Sequence, residues 1–314
     1  MGFPGLILAL GLVAGPVSHA GQDGGTPPQA QQVPAETAVE GIVVDGRRLR
    51  EQARDFVGEI AAPPRARGLA LWRDTVCVGV ANLNAELAQY LVDRISTVAG
   101  DLGLDVGEPG CEPNIVIAFD VDGAGLADAL VAREPRNFRF SIANMHGDSA
   151  DLRSFRTGDH PVRWWTVSVP VNSETGDRAV RLPGDVSPTG GPSAPVIAVF
   201  AASRINTQIR DDMYRIIVIV DADDAARVSL PQLADYLALI SMAQIDNDAE
   251  TSAFDTVLNV FDNPAAAEGL TDWDWSYLRA LYASRSERTT SGAQAGLLAR
   301  IIERDRRAAA QAQD

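Results

Sequence analysis

The side chains able to do chemistry in this chain are few and far apart. Histidines stand at 19, 146 and 160, and cysteines at 77 and 111. His146 and His160 have acids close in sequence, Asp148 and Asp159, so the bare ligand count permits a metal site of imidazoles and carboxylates. Catalytic zinc needs about three such ligands and an open position for water. Loop histidines beside acids are more often solvated, and a Ser/His/Asp hydrolase lacks its Gly-x-Ser-x-Gly elbow here. His146 and His160 therefore stand only as a weak catalytic alternative. Asp246, Asp248, Glu250 and Asp255 offer oxygen ligands for Ca²⁺, but without the glycine of a calcium loop they read as solvated loop acids. The chain has 42 acids, too many to single out a glycosidase pair.

All 27 basic residues are arginine. With no lysine there can be no Walker A phosphate loop, no Schiff base and no Ser/Lys dyad, since each needs an amine. The Gly123-Ala-Gly125 stretch lacks the third glycine of a dinucleotide loop and reads as a turn that starts a helix, so no nucleotide cofactor is expected. A net charge of −15 repels phosphate backbones and anionic lipid surfaces, which argues against nucleic acid as a partner.

The elements that position these residues follow from periodicity. An apolar run from Leu6 to Ala14, followed by Gly15, Pro16 and Ser18-His19-Ala20, has the form of a secretory signal peptide. It is too short for a bilayer core of about 30 Å, and no later segment is long and apolar enough to span one. Export, to the periplasm or beyond, is the expectation. Residues 21–40 are rich in Gly, Pro and Gln and read as a disordered linker, and 41–314 as one domain. Cys77 and Cys111 lie beside turn or strand-edge signals, and in an oxidising compartment they are expected to pair; two separate buried thiols are the alternative.

Spaced apolar residues predict a helix over 41–60, ended by Pro63 and Pro64, and a second over 86–99. Leu69 to Val80 reads as a strand-like run, and Asn114 to Phe119 as a buried strand. Val162 to Val171 is a strand that Pro170 pushes to a sheet edge. On it Arg163, Trp164 and Trp165 alternate, so one indole packs in the core while the other faces a candidate cleft; core packing of both is the alternative. Residues 172–195 form a long surface loop, followed by a strand candidate at Val196 to Ala201. Tyr214 to Val220 is a nearly unbroken apolar strand, which implies cover on both faces. Ser229 caps a central helix running to about Ile245, Thr271 opens another through Tyr282, and a last helix covers Ala293 to about Ala310.

The order from 214 to 282 is strand, buried helix, acidic loop, Thr256-Val257-Leu258-Asn259-Val260-Phe261, then Leu270-Thr271-Asp272-Trp273-Asp274 leading to Leu281-Tyr282. It resembles the second half of a metzincin-type zinc metallopeptidase, and is similar to a group of exported bacterial proteins of unknown function. The resemblance implies an α+β, zincin-like fold with a mixed twisted sheet on long helices. It also implies that the edge strand lines the cleft and pairs with peptide. The zinc-binding motif is missing. Asp235 and Leu239 fall at the histidine positions, Tyr236 at the glutamate, Met242 at the glycine, Ile245 at the third ligand and Leu258, beside Asn259, at the turn methionine. No histidine follows His160. The resemblance therefore implies a non-catalytic module that binds a peptide, protein or envelope component in the former cleft. A hydrolase using His146 or His160 is the alternative.

Overall fold

The computed structural model describes residues 36–62, 68–135, 138, 149–178, 209–284 and 291–313. The chain divides into Met1–Ile42 and Val43–Asp314. The first unit contributes to the described residues only the opening turns of helix α1 (Glu36–Ile60); everything below concerns the second. The expected signal peptide, His146, Asp148, the strand candidate at 196–201 and most of the 172–195 loop lie outside the described residues.

Four strands form one sheet in the order β1 (Val78–Ala81), β2 (Ile115–Asp120), β4 (Ile209–Asp221), β3 (Val162–Asn172). The first three run parallel and β3 runs antiparallel to β4 at the edge. With the helices around it, the molecule is α+β as expected. Pro170 sits opposite Asp211 on the edge strand, where the missing N–H costs least.

β4 is the central partner, and its side chains alternate between two cores. Ile216, Val218 and Val220 join the main core with α2 (Ala85–Asp101) and α6 (Leu230–Met242). Ile219 packs on the opposite face with Ala127, Phe138, Phe155 and Trp165, beneath α3 (Gly123–Arg133) and α4 (Ser149–Thr157). The unbroken apolar run thus has cover on both sides.

Local signals set the helix starts. The Asn84, Asp122 and Ser229 side chains accept first-turn N–H groups of α2, α3 and α6, and Ser229 forms a full capping box with Gln232. Thr271 does the same with Asp274 at α7 (Asp272–Ala283). α8 (Ser291–Gln313) is the last described helix. In α1, Ala53, Phe56, Val57 and Ile60 are buried at helical spacing, and Phe56 meets the rings of Phe254, Trp273 and Tyr277. A four-residue helix α5 (Ala222–Ala225) follows β4.

Several expected boundaries are corrected: α1 begins at Glu36, inside the expected 21–40 linker, and β4 at Ile209 rather than Tyr214. Leu69 to Val80 is a strand only over Val78–Ala81. Before that the segment divides its pairing between two partners: Leu71 bridges Asp212 and Val76 bridges Val106, while the Trp72 indole donates to the Ser241 carbonyl at 2.7 Å. The central helix ends at Met242, three residues early. Ala243 is extended, and Gln244 to Asp246 pair with the chain leaving α1, where Ala62 donates to Gln244 and Asp246 to Ile60.

Cys77 and Cys111 form the expected disulfide and tie the start of β1 to the loop before β2. Gly107 permits this approach, since a Cβ there would lie 2.6 Å from the Cys111 sulfur. No helix among the described residues is long and apolar enough to cross a membrane.

Candidate functional site

The cleft begins at the edge of β3 that faces away from β4; at the far end of that edge Val171 bridges Arg178. In an antiparallel pair, alternate residues turn their N–H and C=O away from the partner. At Trp164 these outward groups are taken by the Asn247 carboxamide: Nδ2 donates to the Trp164 carbonyl at 3.0 Å, and the Trp164 N–H reaches Oδ1 at 3.4 Å. One side chain thus imitates one residue of an added strand. The Trp164 indole donates to the Ile245 carbonyl at 3.0 Å and fixes the same segment. Between β3 and residues 244–248 lies a concavity of about 70 Å³, bordered by Trp164, Trp165, Thr166, Asp151, Asp246 and Asp248.

The two indoles point to opposite faces, as alternation requires, but both are 5% exposed. Trp164 meets Tyr236 edge-on, and Trp165 packs on Phe138 and Phe155. Neither ring stands open in a groove. Arg163 leaves the candidate cleft altogether. It shares the Trp165 face and is buried beneath α4, where its guanidinium donates to the carbonyls of Phe155 and His160, at 3.1 and 3.4 Å.

The helix positions implied by the zinc-protease resemblance face the interior. Asp235 is held by Arg94 of α2 and by the Leu270 N–H, 2.8 Å from Oδ2. Gly269 is needed beside it, because a Cβ there would lie 2.3 Å from that oxygen. Tyr236 sits between Trp164 and Phe261, and burial raises its hydroxyl pKa. Leu239 is fully buried in the main core. The turn residues Leu258 and Asn259 belong to a 3-10 turn, Val257–Asn259, in which the Asn259 carboxamide donates to the carbonyls of Thr251 and Phe254.

That turn is fastened to α7 by Asp274, which is fully buried. Its carboxylate accepts from Thr256 Oγ1 at 2.6 Å, from the Val257 and Thr271 N–H groups at 2.8 and 2.9 Å, and faces Thr271 Oγ1 at 3.0 Å. Burial still outweighs these bonds and pushes its pKa up to about 6.

The structure gives His160 partners that the sequence reading did not supply. Ser154 Oγ lies 2.8 Å from His160 Nε2 and donates to Asp248 Oδ1 at 3.0 Å; that oxygen is 3.4 Å from Nε2. The acid and the hydroxyl thus share one ring nitrogen, whereas a triad places them on opposite nitrogens. Gly158 lets the ring close on α4: a Cβ there would stand 2.4 Å from Nε2. Burial lowers the His160 pKa, with Asp248 pulling the other way.

Among the described residues the four loop acids form no ion-binding group. Asp246 accepts the Asp248 N–H, Asp248 turns to Ser154 and the Glu250 N–H goes to Glu59. The Asp255 carbonyl accepts from Thr271. Among the described residues no three His, Cys, Asp or Glu side chains gather to hold an ion. No family model, curated protein or solved structure matches the chain.

Proposed function

We propose that this chain is a non-catalytic, exported module of zinc-protease-like layout that binds an extended peptide in the concavity between β3 and residues 244–248. The observation that carries the reading is the Asn247 carboxamide seated on the outward backbone groups of Trp164, because it marks this edge as one that accepts peptide-type pairing. Thr166 lies two residues further along β3 and borders the same concavity, so a peptide residue there would continue the ladder that Asn247 begins. Asp151, Asp246 and Asp248 on the rim select a basic side chain. An antiparallel edge strand beside parallel ones, with α6 against the main core, supports the layout. Titration of tryptophan fluorescence with extended Arg-containing peptides tests the reading. Saturable binding that Asp151→Asn weakens supports it, and no binding at low salt overturns it.

A hydrolase is the second reading, favoured by the 2.8 Å contact between Ser154 Oγ and His160 Nε2. Ester or peptide turnover abolished by Ser154→Ala would establish it. Absence of turnover leaves these residues as a brace between α4 and the 244–248 segment.

A further inference from the structure

We propose a second binding site, for a compact polyanion bearing adjacent phosphate or carboxylate groups, in the concavity between α1 and α8. It has a volume of about 390 Å³ and is bordered by Arg50, Arg300, Arg304, Arg307, Glu303 and Gln311. Four arginines and one glutamate border it, in a chain whose net charge is −15.

The arrangement is built rather than scattered. Residues 300, 304, 307 and 311 follow helical spacing and lie along one ridge of α8. Glu303 is 6% exposed and acts as the internal brace. Its Oε2 accepts Arg50 Nε at 2.6 Å, while Oε1 accepts the Arg50 terminal nitrogen at 3.2 Å and Arg307 at 2.7 Å. This fixes two guanidiniums that border the concavity and leaves N–H donors of each beyond those that Glu303 takes. Arg300 and Arg304 carry no ion pair among the described residues, and both are exposed. Stacked like charges on one helix ridge repel, so the ridge opposes its own helix until an anion arrives. Arginine forks fit phosphate and carboxylate oxygens in pairs, which makes the site selective for clustered anionic oxygens over a lone chloride.

Calorimetric titration of the full chain with tripolyphosphate and, separately, citrate tests the site and distinguishes phosphate from carboxylate ligands. Binding of either that weakens as salt rises, and that Arg300→Gln/Arg304→Gln reduces at least about tenfold, supports the site. Glutamine keeps helix propensity, so the melting temperature should hold or rise. If the double variant fails to fold, Arg304→Gln alone is read, with about a threefold loss expected. No heat at low ionic strength, or equal affinity in the variant, overturns the proposal.

Discussion

Asp274 links the 3-10 turn to α7 through a fully buried carboxyl, and its replacement by asparagine should expose a pH dependence of defined sign. Burial raises its pKa from 3.8 to about 6, so between these values the folded chain holds a proton that the unfolded chain has released. Stability from this group is therefore complete below about pH 4 and is lost as pH rises through about 6. At about 1.4 kcal/mol per unit, the change amounts to roughly 3 kcal/mol. Asparagine does not titrate, so its cost is a fixed offset. The quantity to follow is the difference in unfolding free energy, natural chain minus Asp274→Asn, from urea denaturation at a series of pH values. It should fall by about 2 to 3 kcal/mol between pH 4 and 7. A flat difference, or one that rises with pH, would refute the reasoning and show that the Thr256, Val257 and Thr271 donors outweigh burial.

Reducing the Cys77–Cys111 bond should lower stability by about 2 to 4 kcal/mol, seen as a shifted urea midpoint with and without reductant. Gly269→Ala forces a methyl against Asp235 and breaks its bonds to Leu270 and Arg94; a loss of about 2 to 4 kcal/mol in denaturant unfolding is expected. Asn247→Ala leaves the outward groups of Trp164 without their partner. It should cost about 1 to 2 kcal/mol and speed hydrogen exchange at the Trp164 amide. His160 is held neutral by burial, so its contribution is present above its ordinary pKa of 6.5 and is lost as pH falls below it. In His160→Gln that slope should flatten in thermal melts.

What the sequence made legible was local. Capping residues such as Ser229 and Thr271 mark their helices because the bonds they make span only three positions. The apolar run of β4 told of cover on both faces because no solvent-facing position interrupts it. What escaped reading depends on partners distant in sequence. The helix through Met242 stops early because Gln244 and Asp246 find backbone partners beside α1, and the Gln244 side chain accepts the Ala70 N–H from 174 positions away. Asp248 was legible as a loop acid, but its place beside Ser154 is set by tertiary folding across 94 residues. Asn247 carries no motif at all, and its role exists only once β3 has an edge. The arginine ridge of α8 could have been found from its spacing, but the buried Glu303 that braces it could not.

The ties between segments far apart in the chain bear on how fast it folds. Arg50 bonds Glu303, the Leu69 N–H donates to Gln294, and Ala70 donates to Gln244. Residues 50, 69 and 70 thus wait for partners 174 to 253 positions away. Such long loops make closure slow. A chain tied in this way folds at a pace set by its most distant pairings rather than by its well-capped helices.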